Sequence, residues 1–228
     1  MALNSSLASH HRQGYNPFNH VVNLNNLTIL LLDYQELEGL DELLELGLQL
    51  CHHHQINTMF AYFYLKKAEY LWQKHRRQAL APYPVEIREY ALKALRLTDL
   101  YGDVSYGAQI EVFLGSIAAS PQAALDYYQK ALKKSQKKLF LLPIGLAAIE
   151  VAKIYEAKQD YHRAVLIYSS LLQFNLRNKL KYDIRQRLGR IQGLYDRQAY
   201  DASFDLGAVK SLGELVNFLL ASCSSETA

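Results

Sequence analysis

The amino-acid sequence predicts an all-α protein of about five antiparallel helix pairs, and three observations carry that expectation. Apolar residues recur three and four positions apart along most of the 228 residues, the spacing of a helix face. Strand signals are nearly absent: few segments alternate with period two, and no Asn-Gly turn joins β-branched runs. The third is a hairpin grammar. Ala148 to Leu172 has the pattern of two short amphipathic helices joined at Asp160, and the spacing of its second helix recurs upstream.

Taken in order, residues 1–18 are polar, rich in Ser, His and Asn, and close on an Asn16-Pro17 turn signal, which predicts a flexible N-terminal arm. Helical spacing begins near His20. Val21, Leu24, Leu27 or Thr28, and Leu31 make one stripe; with the interruption from Asp33 to Glu38, Leu37, Leu40, Leu43-Leu44 and Leu48 make another. A third helix, Ile56 to His75, carries Phe60, Phe63-Tyr64, Ala68, Leu71 and Trp72 on its buried side. Pro82 and Pro84 then interrupt the pattern, since each removes a backbone donor and restricts its predecessor. The fourth helix runs from Val85 to Leu100 and stops at Tyr101-Gly102, where glycine takes the left-handed closing conformation.

Asp103 caps the fifth helix, Val104 to Ala118. Ser120-Pro121 opens the sixth, with a capping hydroxyl followed by proline at the first helical position, where the missing N–H costs nothing. Leu142-Pro143 starts the seventh, Asp160 caps the eighth, Leu176 or Arg177 to Asp196 forms the ninth, and Ser203 to Ala221 the tenth. Connections this short force neighbouring helices antiparallel. Residues 19–222 are expected to form a single helical repeat domain, followed by a disordered tail over 223–228. The last helix, with Leu206, Val209, Leu212, Leu215-Val216 and Leu219, is expected to cap the end of the stack or to make a dimer contact. Gly207 and Gly213 weaken it by about 1 kcal/mol each relative to alanine, so it needs a surface to dock on.

The hairpin grammar resembles the tetratricopeptide repeat. That family's small residue, aromatic, turn, aromatic, small residue, aromatic and hydrophobic pair are matched in order by Ala152, Tyr155, Tyr161, Ala164, Tyr168 and Leu171-Leu172. Ala124, Tyr128, Ala131 and Leu132 repeat the second-helix spacing. The copies are 40 residues apart, longer than the roughly 34 of the standard repeat, and Gln159 stands where the turn glycine is usual. The resemblance is thus to a divergent, long-repeat type, and it covers residues 104–172. It implies a right-handed α-superhelix whose concave face is lined by the first helix of each pair.

Composition bounds the remaining possibilities. Cys51 and Cys223 are too few for a disulfide framework, no leader pattern opens the chain, and the longest apolar run, Leu139 to Ile149, has 11 residues against the roughly 20 a spanning helix needs. These features lead to the expectation of a soluble, cytoplasmic protein with no membrane partner. The net charge of +3 argues against nucleic acid as a partner, but it is unevenly spread. From Gln13 to Leu65 there are six acidic residues and no lysine or arginine; two basic stretches follow, Lys130 to Lys138 and Arg177 to Arg190. Such polarity can orient an acidic partner, or it is the solvated face of surface helices.

Few side chains suggest chemistry. Cys51-His52-His53-His54 resembles a metal cluster, yet consecutive helical side chains diverge by about 100° and no second ligand group follows, so a polar helix end is expected and no metal. No Gly-x-Ser-x-Gly, phosphate loop or dinucleotide fingerprint is present, and the acidic cluster from Asp33 to Glu45 lacks calcium-loop spacing. The expectation is a protein that is not an enzyme and needs no cofactor: an interaction module, as scaffold, adaptor or assembly subunit, binding a protein or peptide segment in its groove. The alternative is a peptide-sensing regulatory domain of a bacterial-type regulator. Extrapolating the repeat register puts Tyr106, Gln109, Lys153, Arg187 and Arg190 on the groove side as partner-binding residues. The basic-and-asparagine clamp for a terminal carboxylate is not reproduced. A homo-oligomer through the last helix remains compatible with the sequence.

Overall fold

The computed structural model describes residues 16–78 and 84–225. Among these residues there are eleven α-helices and no strand. The chain divides into two compact units, residues 1–97 and 98–228.

The first unit is built on α1 (Pro17–Tyr34), α2 (Leu40–His53) and α3 (Phe60–Arg77), with a 3₁₀ turn at Asn57–Met59 leading into α3. The Asn16-Pro17 pair is the start of α1 and not the end of an arm: the Asn16 side chain accepts from the N–H groups of Phe18 and Asn19 at 3.0 and 3.3 Å, and Pro17 occupies the first turn. Residues 1–15 of the expected arm lie outside the described residues. Helix α1 closes on Gln35, a left-handed residue with φ of 60°. Val21, Leu24, Leu44, Leu50, Met59 and Phe63 form the core of this unit. Gly47 lets α2 meet α3, because a Cβ there would overlap the Phe63 ring. Lys67, nearly buried on α3, is neutralised by Asp41 and by Glu45 at 2.8 Å, so part of the acidic cluster serves helix pairing. At the far end of α3, Gln73 and Arg77 donate to the carbonyls of Leu32 and Gln35 and satisfy the last turn of α1. Helix α4 (Val85–Tyr101) contributes its first four turns here, with Tyr90 stacked on Tyr64 at 6.1 Å.

The second unit begins in the last turn of α4 and holds α5 (Val104–Ser116), α6 (Pro121–Gln136), α7 (Leu141–Ala157), α8 (Tyr161–Leu172) and α9 (Asn178–Gln192), each packed on the next, with α7 also touching α5. The caps expected from sequence are present: Asp103 accepts from Tyr106 N–H, Ser120 from Ala123 N–H and Asp160 from Arg163 N–H, at 3.0 to 3.2 Å. Gln159 takes the left-handed turn position itself, at φ 61°. Ala131, Ala152, Ala164, Tyr128, Tyr155 and Tyr168 are all buried in the unit's core, the small residues where helices approach and the rings as wedges.

The C-terminal region departs from expectation. In place of one helix over 203–221 there are two, α10 (Arg197–Ala208) and α11 (Leu212–Ser225), bent by 120°. Asp196 caps α10 by accepting from Ala199 N–H at 2.9 Å. A reciprocal capping box starts α11: Glu214 accepts from Ser211 N–H at 2.7 Å while Ser211 Oγ accepts from Glu214 N–H at 3.2 Å. Helix α10 lies against α8, where a Cβ on Gly207 would collide with Ser169 Oγ and the Leu166 carbonyl. Helix α11 returns to α6 and α7, burying Leu215, Val216, Leu219 and Cys223. Helix α11 therefore covers the second helix of this unit, while Leu206 and Val209, expected on the same helix, stay exposed. Residues 223–225 continue the helix where a disordered tail was expected; 226–228 lie outside the described residues.

Candidate binding groove between α7 and α9

Two helix faces with the same spacing meet one cavity. On α7, Leu146, Ile149, Glu150 and Lys153 stand at i, i+3, i+4 and i+7; on α9, Leu180, Asp183, Ile184 and Arg187 repeat that row, and Arg190 extends it by a turn. Side chains so spaced share one face of each helix. Together they enclose about 280 Å³, with Leu146, Ile149, Leu180 and Ile184 as the apolar floor and charges around the rim. That volume is at the small end of ligand cavities, which suits one or two side chains of a partner better than a cofactor.

The rim is organised by Glu156, near the end of α7. Its Oε2 accepts from Arg187 Nη1 at 2.6 Å and from the Tyr168 hydroxyl at 3.2 Å, and Arg190 Nη2 lies 3.5 Å from Oε1. One carboxylate thus ties α7, α8 and α9 together. Burial opposes the charge on Arg187, but Tyr168 and Glu156 outweigh it and hold the guanidinium above its ordinary range. Burial likewise pushes the Tyr168 hydroxyl well up, so it stays protonated and donates. Lys153 Nζ is paired to Glu150 at 2.5 Å one turn away. Arg190 differs from both: its side chain is 63% exposed and its approach to Glu156 is long.

Of the five residues expected on the groove side, Lys153, Arg187 and Arg190 converge on this cavity. Tyr106 is buried in α5, and half-buried Gln109 lies outside the cavity lining. Tyr106 follows Asp103 by three residues, and the cap on its N–H fixes the first turn with that side chain inward. Sequence spacing does not single out Glu156, since its partners lie 12 and 31 residues away.

No family model, curated protein or solved structure matches this chain.

Other clusters take structural roles. Among the described residues no three His, Cys, Asp or Glu side chains converge to hold a metal. Cys51 is buried, with its thiol pushed up to about 11 by desolvation, while His52 and His53 end α2 as exposed groups in its last turn. His162, at the start of α8, has Nδ1 2.8 Å from Ser203 Oγ on α10. The Ser203 hydroxyl donates to the Ala199 carbonyl at 2.6 Å, so the imidazole donates to it and the pair joins helices. A serine whose proton is committed to a carbonyl is not being activated by that base. Inside α5, Glu111 is buried and pairs with Lys134 at 3.1 Å; burial raises its carboxyl above the usual range, and the lysine pulls it back.

Proposed function

We propose that this chain is a non-catalytic interaction module that holds a segment of a partner protein in the α7–α9 groove, within a tetratricopeptide-like superhelix. The observation that supports this reading is the cavity itself: α7 and α9 turn matching side-chain rows toward a shared apolar floor. An apolar side chain of the partner would seat between Leu146, Ile149, Leu180 and Ile184. An acidic group beside it would meet Arg190, whose planar donor fork binds a carboxylate bidentately. Arg187 has the different task of holding Glu156, and through it the walls of the groove. The basic surface of α9 favours an acidic segment, and the buried small residues Ala152 and Ala164 support the repeat register.

Site-specific photocrosslinking tests this. A crosslinker at Gln186, on the groove lining, is expected to capture a discrete partner that the same group at Gln122, on α6, does not. Binding of the identified segment should weaken about tenfold in Arg190→Gln, which removes one charge-assisted hydrogen-bonding pair, with the helical spectrum unchanged. Equal capture at both positions would remove the groove assignment.

A further inference from the structure

A second cavity, of about 290 Å³, lies in the first unit and is lined by Gln35, Trp72, Gln73, Arg76 and Arg77. Its lining contains no carboxylate. The α7–α9 cavity includes Glu150 and Asp183, and another along α4 includes Glu86 and Glu89, so their cations have acids beside them. Here two guanidiniums share one concavity and neither pairs with an acid among the described residues. Both are solvent-exposed, and each is oriented by one intramolecular contact. Arg76 lies over the Trp72 ring at 4.9 Å, and Arg77 is tethered to the Gln35 carbonyl that closes α1. A pre-stacked and a pre-tethered arginine lose little rotamer freedom when a ligand arrives. The negative end of α3 opposes an anion at this place, but Lys74, Arg76 and Arg77 in its last turn offset that pole.

We propose that this cavity is an oxyanion site that takes a phosphoryl group. Two adjacent donor forks suit a doubly charged acceptor with three oxygens, which a phosphate monoester supplies and a single carboxylate does not. The group could arrive as free phosphate or carried on a phosphorylated side chain, and the test separates these sources.

Trp72 is the only tryptophan in the chain, so its emission reports on the cavity directly. The full chain is titrated with inorganic phosphate, with O-phosphoserine and with sodium chloride at matched ionic strength, and binding is measured in parallel by calorimetry. A saturable change with at least one phosphorylated probe, absent with chloride, is expected. Tighter binding of phosphoserine identifies a group carried on a side chain; tighter binding of phosphate identifies the free anion. Arg76→Gln should weaken the calorimetric affinity about tenfold, since it deletes one of the two charged donor forks. Arg76→Lys, which keeps the charge and loses the fork, should weaken it less, and Arg197→Gln, an exposed position in the other unit, should leave it unchanged. A linear drift equal to that with chloride, or parental affinity in folded Arg76→Gln, overturns the proposal without touching the α7–α9 groove.

Discussion

Single missing atoms decide how closely these helices approach. Gly207 and Gly189 are both helical glycines, yet they sit in opposite surroundings. A Cβ at 207 would enter the space of Ser169 Oγ and the Leu166 carbonyl, a backbone atom that cannot swing aside; at 189 it would meet nothing. Gly207→Ala is therefore expected to destabilise the protein by about 1 to 3 kcal/mol, the usual cost of overpacking. Gly189→Ala should stabilise it by up to about 1 kcal/mol, since alanine loses less backbone entropy in a helix. Thermal melts followed by circular dichroism would separate them by several degrees, in opposite directions. A rise in melting temperature for Gly207→Ala would show that α10 does not lie against α8 as described.

Among the helices, ends were more legible than middles, because caps are local chemistry. Ser120-Pro121 and Asp160 announce α6 and α8 from two or three residues, and the backbone follows them. The α10–α11 corner is hidden from the sequence for a physical reason: Leu206, Val209, Leu212 and Leu215 keep helical spacing across the break, so periodicity alone continues the helix through it. The signal that marks it is the capping pair Ser211 and Glu214, three residues apart before an apolar run. Ser211→Ala is expected to cost about 1 kcal/mol and to fray the start of α11, measurable as faster amide exchange at Leu215 and Val216. Unchanged protection there would mean the box is ornamental. In the groove, Lys153, Arg187 and Arg190 could be picked from a helix register. The floor could not, because Leu146, Ile149, Leu180 and Ile184 have the spacing any core residue has, and Glu156 gains meaning only once α8 and α9 are folded beside it.

At the scale of the whole molecule, the second unit is closed by its last segment. Leu215, Val216 and Leu219 on α11 are packed into the same core as Ala124, Leu125 and Tyr128, and Gln129 and Gln136 of α6 bond to Ser224 and Asn217 at 2.9 and 3.3 Å. A chain ending after Lys210 would leave the α6 surface facing water. It should bind a hydrophobic dye strongly and melt at a markedly lower temperature, while retaining most of its helical signal, because α5 to α9 keep their neighbours. A truncated protein as stable as the parent would show that α11 is an accessory to this core.

The return of α11 to α6 also sets a timetable. A stack in which every helix meets only its neighbours can consolidate step by step as it leaves the ribosome. Here one partner of α6 is α11, which follows it by 81 to 95 residues. Until α11 has been synthesised, the growing polypeptide carries an uncovered apolar strip, and that interval is when a nascent-chain chaperone has something to hold.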